Sequence, residues 1–424
     1  MNVVKHKLKN GLRVLVTPMP SVESATVTFW VGVGSKFEDK KIGGISHFTE
    51  HIVFKGSKKR PSAREISQAV DAMGGEFNAG TSKEWTNFYI KARASNLDKS
   101  MDVLSDMVLN PLLREEDIEK EKGVILEEMA MYEDTPVSKI GDVFENLIFE
   151  NTSLGEDIIG TKDSVKSIKR EDFLRYRKLH YHTENMLLTV AGGVKEKEVM
   201  ELTEKYFGII GNESKEKEET KIKVLQNRPR FKLVSKKNEQ AHLILGYLGN
   251  KLDNSDQFKE EVLATILGGG MSSRLFIQVR ERRGLAYSVR SDTDYYVDTG
   301  YIGTYAGVDP KKATEAIKVM IEEHNKMTSK KLARISKEEL AKAKEFIKGH
   351  LALALENTRK VNEYLAWKEL LLNKLELPED IYKGIDKVSV EDVIEVAKRI
   401  FKPQNLNLAI IGPFKDKSQF EKLL

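Results

Sequence analysis

Gly43-Gly44-Ile45-Ser46-His47-Phe48-Thr49-Glu50-His51-Ile52-Val53-Phe54-Lys55-Gly56 carries two of only eight histidines in a chain of 424 residues. The histidines stand four apart, and a glutamate directly precedes the second. Residues i and i+4 lie on one face of a helix. Both imidazoles can therefore reach one metal ion, and Glu50, at i+3, opens into the same space. Glycines ahead of the pair and the apolar Ile52-Val53-Phe54 behind it predict a helix with a buried face. A lone histidine is more often a packing residue than a ligand. The whole pattern His-x-x-Glu-His is much rarer by chance and favours the metal.

The bulk composition narrows the classes. A chain of this length predicts two or three domains. Apolar residues make up 40% and charged residues 32%. The 69 Lys and Arg against 65 Asp and Glu leave a net charge of +4. That is too small to argue for nucleic acid or an anionic membrane as partner. Cysteine is absent, which excludes disulfides and thiolate metal sites and fits a reducing compartment. Met1-Asn2-Val3-Val4-Lys5-His6-Lys7 has no apolar leader, and no apolar run approaches the roughly 18 residues that span a bilayer. The expectation is a soluble, cytoplasmic protein.

Around the histidines the pattern alternates strands and helices. Strands are predicted at 3–9 and 12–17, joined by the Asn10-Gly11 turn, and at 25–33. A helix over 62–73 places Ile66, Val70 and Met73 on one face. Paired strands follow at 77–81 and 85–92, then helices at 96–109, 115–132, 136–150 and 170–179, and a strand at 187–191. The second half opens near 230 with strands at 231–234 and 242–248. A helix over 257–267 runs into Gly268-Gly269-Gly270, and another continues to about 282. Strands at 285–292 and 299–307, helices at 310–327, 337–356, 358–373 and 391–400, and a strand at 406–411 complete the chain. Glu171-Asp172, Asn185 and Gly192 recur as Glu391-Asp392, Asn405 and Gly412, each at the same interval. The repeat predicts an α+β protein of two homologous domains from an internal duplication, each an antiparallel-rich sheet packed with helices. The division expected is 1–210 for the domain with the metal motif, a polar linker at 211–229, and 230–424 for a copy without histidines at the corresponding place.

A catalytic zinc takes three protein ligands and keeps a fourth position open. Without cysteine, the third ligand is His, Asp or Glu. His180 and His182, two apart, cannot both face one ion from a helix. Glu121 and Glu128 are seven apart, two turns on one face, with Val124 and Ile125 between them to dock the helix. Glu127 points about 100° away from Glu128. Glu128 is the choice as ligand, with Glu121 supporting it or a histidine. The same helix carries many acids, so spacing alone leaves an exposed acidic face as the alternative. His-x-x-Glu-His is the reversed order of a zinc-peptidase motif. On that reading Glu50 takes a proton from water and passes it to the leaving amine; the alternative is that it orients a histidine. Arg280 and Tyr287 flank a helix-to-strand junction and can stabilise an oxyanion, or belong to a solvated basic face.

With these residues assembled, the sequence resembles the pitrilysin/insulinase-type zinc metallopeptidases, the inverzincins, and among them the short members similar to mitochondrial processing peptidase. The likeness spans the whole chain. Gly44-x-x-His47-x-x-Glu50-His51-x-x-Phe54-Lys55-Gly56 matches the family signature. Glu121-Lys122-Gly123-Val124-Ile125-Leu126-Glu127-Glu128 matches the helix whose last glutamate binds zinc and whose first supports the site. Gly75-Glu76-Phe77-Asn78-Ala79-x-Thr81-Ser82 matches the edge strand that holds substrate, here through Asn78 and Ala79. Arg280 and Tyr287 match an Arg/Tyr pair that reaches the scissile carbonyl, and Gly268-Gly269-Gly270 resembles a glycine-rich loop that handles substrate.

The resemblance implies a metalloendopeptidase with one Zn2+ per chain, held by His47, His51 and Glu128, with Glu50 as general base. Its substrates would be unfolded peptides or oligopeptides, with a processing peptidase as a variant. It also implies half of a clamshell. The partner would be a second copy of this chain, or a homologous subunit, so that the zinc of one half faces Arg280 and Tyr287 of the other. Ser46 and Thr49 depart from the small or apolar residues usual at their positions. The alternative of another class is a non-catalytic scaffold, like the core subunits of respiratory complexes that share the fold. Such relatives lose the zinc residues, and this chain keeps them.

Overall fold

The computed structural model describes residues 1–211 and 221–424; part of the polar stretch at 211–229 expected as a linker therefore lies outside the described residues. The chain forms two compact units.

The first unit is built on a six-stranded sheet in the order β1 (Val4–Lys7), β2 (Arg13–Pro18), β6 (Met186–Gly192), β3 (Ser24–Val31), β5 (Thr86–Arg93), β4 (Glu76–Thr81). All pairs are antiparallel except β2 with β6. The β1–β2 hairpin turns at Gly11, whose φ of 94° is open to glycine, and Asn10 Oδ1 accepts from Leu12 N–H. Side chains alternate across the pleat. Val14, Phe29, Val31, Phe88 and Val190 join one core with Ile45, Phe48 and Leu104. Leu15, Trp30, Leu187 and Ala191 point the other way, onto Val361, Leu365 and Leu370. A sheet buried on both faces reads as a near-continuous apolar run, as β6 does.

The second unit repeats the plan: β7 (Arg230–Ser235), β11 (Leu406–Gly412), β8 (Ala241–Gly249), β10 (Gly300–Val308), β9 (Ala286–Tyr295). Here the parallel pair is β7 with β11. The sequence repeat is structural. Helices Arg170–His180 and Val390–Ile400 precede β6 and β11, and both pairs of elements recur after 220 residues, as from Arg170 to Val390 and from Met186 to Leu406. Asp172 and Asp392 recur because each carboxylate accepts the backbone N–H at its helix's N-cap, at 2.9 Å in both. Gly192 and Gly412 recur because each strand ends against the start of its neighbour. A Cβ would meet Ser24 O at 2.2 Å in one and the Ala241 Cβ at 3.0 Å in the other.

The compact units are not contiguous in sequence, unlike the division at 1–210 and 230–424. Residues 131–155 belong with the second unit and 352–377 with the first. The Thr358–Leu372 helix covers the second face of the first sheet and bonds it through Asn362 Nδ2, which donates to Thr26 O at 2.9 Å. The Pro136–Ile148 helix packs Ile140, Phe144 and Ile148 beside Ala409 and Ile411 of the second sheet. Each sheet has two apolar faces to bury, and each takes one covering helix from the other half of the chain. Among the described residues, no helix is long and apolar enough to cross a membrane.

Candidate metal centre

The predicted histidine helix spans Ile45–Val53. It starts at Gly44, whose φ of 93° and close approach to Ile159 O, 2.5 Å from any added Cβ, leave room only for glycine. Gly44 has no side chain to cap the helix, and Glu38 takes that part. Its carboxylate accepts Gly44 N–H at 2.6 Å and Ser46 N–H at 2.8 Å. A half-buried carboxylate at a helix N-terminus meets both the free N–H groups and the helix dipole. Burial pushes the Glu38 carboxyl up, and the hydrogen bonds from Ser46 and Gly44 oppose it. Ile45, Phe48, Ile52 and Val53 are fully buried. Phe48 meets Phe173 edge-on at 5.0 Å. Ser46, one of the departures from the family pattern, shares a 2.7 Å hydrogen bond with the Tyr176 hydroxyl. Thr49 Oγ1 is buried with no partner among the described residues.

The apolar face fixes the other one. His47, Glu50 and His51 are half-buried on the opposite side. The Glu115–Asp134 helix brings Glu128 to them. It docks through Ile118, Ile125 and Met129, whereas Val124, expected to dock as well, is half exposed; Ile125 alone falls on the stripe at 3–4-residue spacing. Glu128 Oε2 lies 3.7 Å from His47 Nε2 and 3.4 Å from His51 Nε2. The three donor atoms all fall within 4.8 Å of one another. The oxygen is buried and has no hydrogen-bond partner among the described residues. These gaps are long for hydrogen bonds and suit ligands about 2 Å from one shared ion. His180 and His182 do not join the group, which is the metal-competent cluster among the described residues.

Glu121 stands behind His51. Its Oε1 is 2.9 Å from His51 Nδ1 and its Oε2 2.6 Å from Lys55 Nζ. A carboxylate on one ring nitrogen turns the other toward a metal. The charges follow from this arrangement. Burial pushes the His51 imidazole down, but the hydrogen-bonded Glu121 and nearby Glu128 outweigh it and bring it up to about 9. Burial and the neighbouring His51 take His47 down to about 4. Glu128 lies below its ordinary range because of the histidines. Glu50 is pushed up by burial, with a hydrogen bond from Thr81 opposing. Thr81 Oγ1 donates to Glu50 Oε2 at 2.6 Å.

Thr81 ends β4, the edge strand of the first sheet. On the same strand Ala79 is half-buried and Asn78 exposed, its Oδ1 accepting Ala79 N–H at 2.9 Å. In the second unit, Arg280 sits on a π-helical turn, Phe276–Glu281, where a plain helix was predicted. Its guanidinium stacks 4.7 Å from the Phe276 ring and 5.3 Å from the Tyr287 ring. Tyr287 is 75% exposed, so packing does not account for it. Gly268 ends the Gln257–Gly268 helix, and a Cβ there would stand 2.4 Å from Ser291 N. Gly269 likewise lies close to Thr265 and Gly270 to Phe346. Close packing is thus one reason for this glycine run. Glu38 carries no signal in the sequence; Lys55 and Thr81 stand inside matched motifs but have no individual role readable there.

The chain is similar to known proteins along most of its length. Residues 13–162 match the insulinase family, peptidase family M16, and residues 167–347 match the peptidase M16 inactive domain. A Streptomyces coelicolor protein named an uncharacterized zinc protease is 36% identical over 415 residues, 97% of this chain and 89% of that protein. A Bacillus subtilis protein of the same description is 34% identical, over 97% of this chain and 98% of its own. The crystal structure of a protease from Helicobacter pylori is similar with a TM-score of 0.90 and 26% identity, covering 97% of this chain and 99% of that one.

Proposed function

The chain belongs to the insulinase family of peptidases, family M16, and on that footing we propose that it is a zinc-dependent endopeptidase acting on unfolded peptides or oligopeptides. The observation that carries the reading is the convergence of His47, His51 and Glu128 beside Glu50. The donor set fits zinc: two imidazole nitrogens and a buried carboxylate oxygen that lacks a hydrogen-bond partner among the described residues. The relatives named as zinc proteases support the same ion. His47, His51 and Glu128 would hold one Zn2+ per chain. When bound, the ion lowers the pKa of water toward neutrality and polarises a carbonyl.

The remaining work falls to the chain's own residues. Glu50 accepts the proton of the attacking water and delivers it to the leaving amine. Burial pushes its carboxyl up, which makes it a stronger base than a solvated glutamate. Glu121, tied by Lys55, keeps His51 turned the right way. The free edge of β4 offers Asn78 and Ala79 to an extended peptide by strand addition. Strand addition needs an unfolded segment, which is the basis for the substrate class. The exposed Arg280–Tyr287 stack supplies a cation and a hydroxyl suited to an oxyanion. In a dimer that encloses a chamber, those two groups would come from Arg280 of the partner subunit and Tyr287 of the partner subunit. Gly268, Gly269 and Gly270 would contact the peptide there. A role in processing longer precursors is the variant of this reading, and a chain without cysteine suits the cytoplasm.

Stripping the protein with a chelator and restoring zinc tests the proposal on a quenched oligopeptide. Cleavage is expected to vanish, then return at about one ion per chain, and not to return in His47→Ala. A stripped chain that cleaves at its original rate would overturn the reading.

A further inference from the structure

Alternate residues of a strand share a face, so Thr81 stands with Phe77 and Ala79 on one side of β4. That side packs on the end of the histidine helix, where the Phe77 ring lies 5.4 Å from the Phe54 ring. Thr81 adds a polar tie to the same helix, its hydroxyl donating to Glu50 Oε2 at 2.6 Å. β4 is also the outermost strand of its sheet, paired with β5 and with no other strand among the described residues. One side chain thus joins the strand with a free edge to the proposed base.

A general base needs one oxygen held toward the reacting atoms through both proton transfers. A free glutamate side chain rotates about several bonds and loses that aim. A donor fixed on Oε2 leaves Oε1 as the oxygen directed at the reaction.

We propose that Thr81 is a positioning residue, whose hydroxyl aims Glu50 for proton transfer and couples that aim to peptide docking on β4. The inference rests on the peptidase reading above. A peptide added to β4 is bonded along the strand's open edge and steadies its backbone, Thr81 included. The base is then best aimed when the strand is occupied. Threonine suits both duties, since the branched side chain favours a strand end and the hydroxyl reaches the helix.

Two substitutions separate hydroxyl from packing. Thr81→Val keeps the branched shape and loses the donor. Thr81→Ser keeps the donor and loses the methyl. For the zinc-loaded enzyme on a quenched oligopeptide, Thr81→Val is expected to lower kcat roughly tenfold to a hundredfold, the range for a hydrogen bond to a charged group. KM and zinc affinity, the latter read by chelator competition, should barely change. Thr81→Ser should keep most of kcat. In crystals of the metal-free variants, the Glu50 carboxylate should hold its place in Thr81→Ser and leave it in Thr81→Val. Wild-type turnover by Thr81→Val overturns the inference. So does an equal loss in both variants, which would mark Thr81 as a packing residue. Glu50→Gln, measured alongside, keeps the two readings apart. Loss in Glu50→Gln without loss in Thr81→Val removes only the part given to Thr81. Full activity in Glu50→Gln removes the peptidase mechanism beneath it.

Discussion

Glu121 decides which nitrogen of His51 is free. It holds Nδ1 at 2.9 Å while Lys55 anchors its other oxygen, so Nε2 is left facing Glu128. Glu121→Ala is expected to weaken zinc binding about 10- to 100-fold in a titration against a chromophoric chelator. Turnover at saturating zinc should fall much less. Unchanged affinity would mean that His51 needs no such anchor. At this scale much of the site was legible. His47, Glu50 and His51 share one helix face by spacing alone, and Glu121 and Glu128 share another. What joins the two helices was not legible: spacing chose Glu128 but left an exposed acidic face as the alternative, and the family resemblance strengthened the choice. The contacts of Thr81 and Glu38 were invisible for a related reason. Their hydrogen bonds to Glu50 and Ser46 cross 31 and 8 residues, and tertiary packing sets those meetings, not periodicity.

Elements were legible where their hydrophobic period was clean, and boundaries agree within a few residues for the strands of both sheets. The π-helical turn at Phe276–Glu281 was not, because one extra residue in a turn leaves no mark in a short amphipathic pattern. In the second unit, the Gln257–Gly268 helix buries Glu260 completely. Its carboxylate accepts Asn250 N–H at 3.1 Å and the Asn250 side-chain amide. Burial pushes it up to about 7, against the hydrogen bonds from Asn250. The folded state therefore holds this proton at pH values where the unfolded chain has released it. Below the unfolded value near 4.5 the group costs nothing; the cost grows as pH rises and is complete above about 7. Relative to wild type, Glu260→Gln should gain stability between pH 5 and pH 8, on the order of 3 kcal/mol. Urea unfolding at the two pH values measures it. A difference that does not change with pH would show that Glu260 is ionised throughout.

The whole molecule follows the expected α+β duplication, with the same five-strand order in each unit. The covering helices do not follow the order of the sequence. Residues 136–148 and 358–372 present apolar faces that local pattern can recognise, but a face does not say which sheet it will meet. Pairing of two chains makes its own prediction. Glu50→Gln and Tyr287→Phe, each strongly impaired alone, should regain part of the activity when mixed, because one site of a mixed pair combines an intact Glu50 with an intact Tyr287. No recovery, with exchange of chains verified, would place both residues' work within a single chain. All of this depends on a zinc-held peptidase site with Glu50 as its base. The most direct measurement is zinc content together with cleavage of a quenched peptide, for wild type and Glu50→Gln. The predicted result is about one zinc per chain in both and turnover lowered about a hundred- to ten-thousandfold in the variant. Wild-type turnover by a zinc-bound Glu50→Gln chain would contradict it.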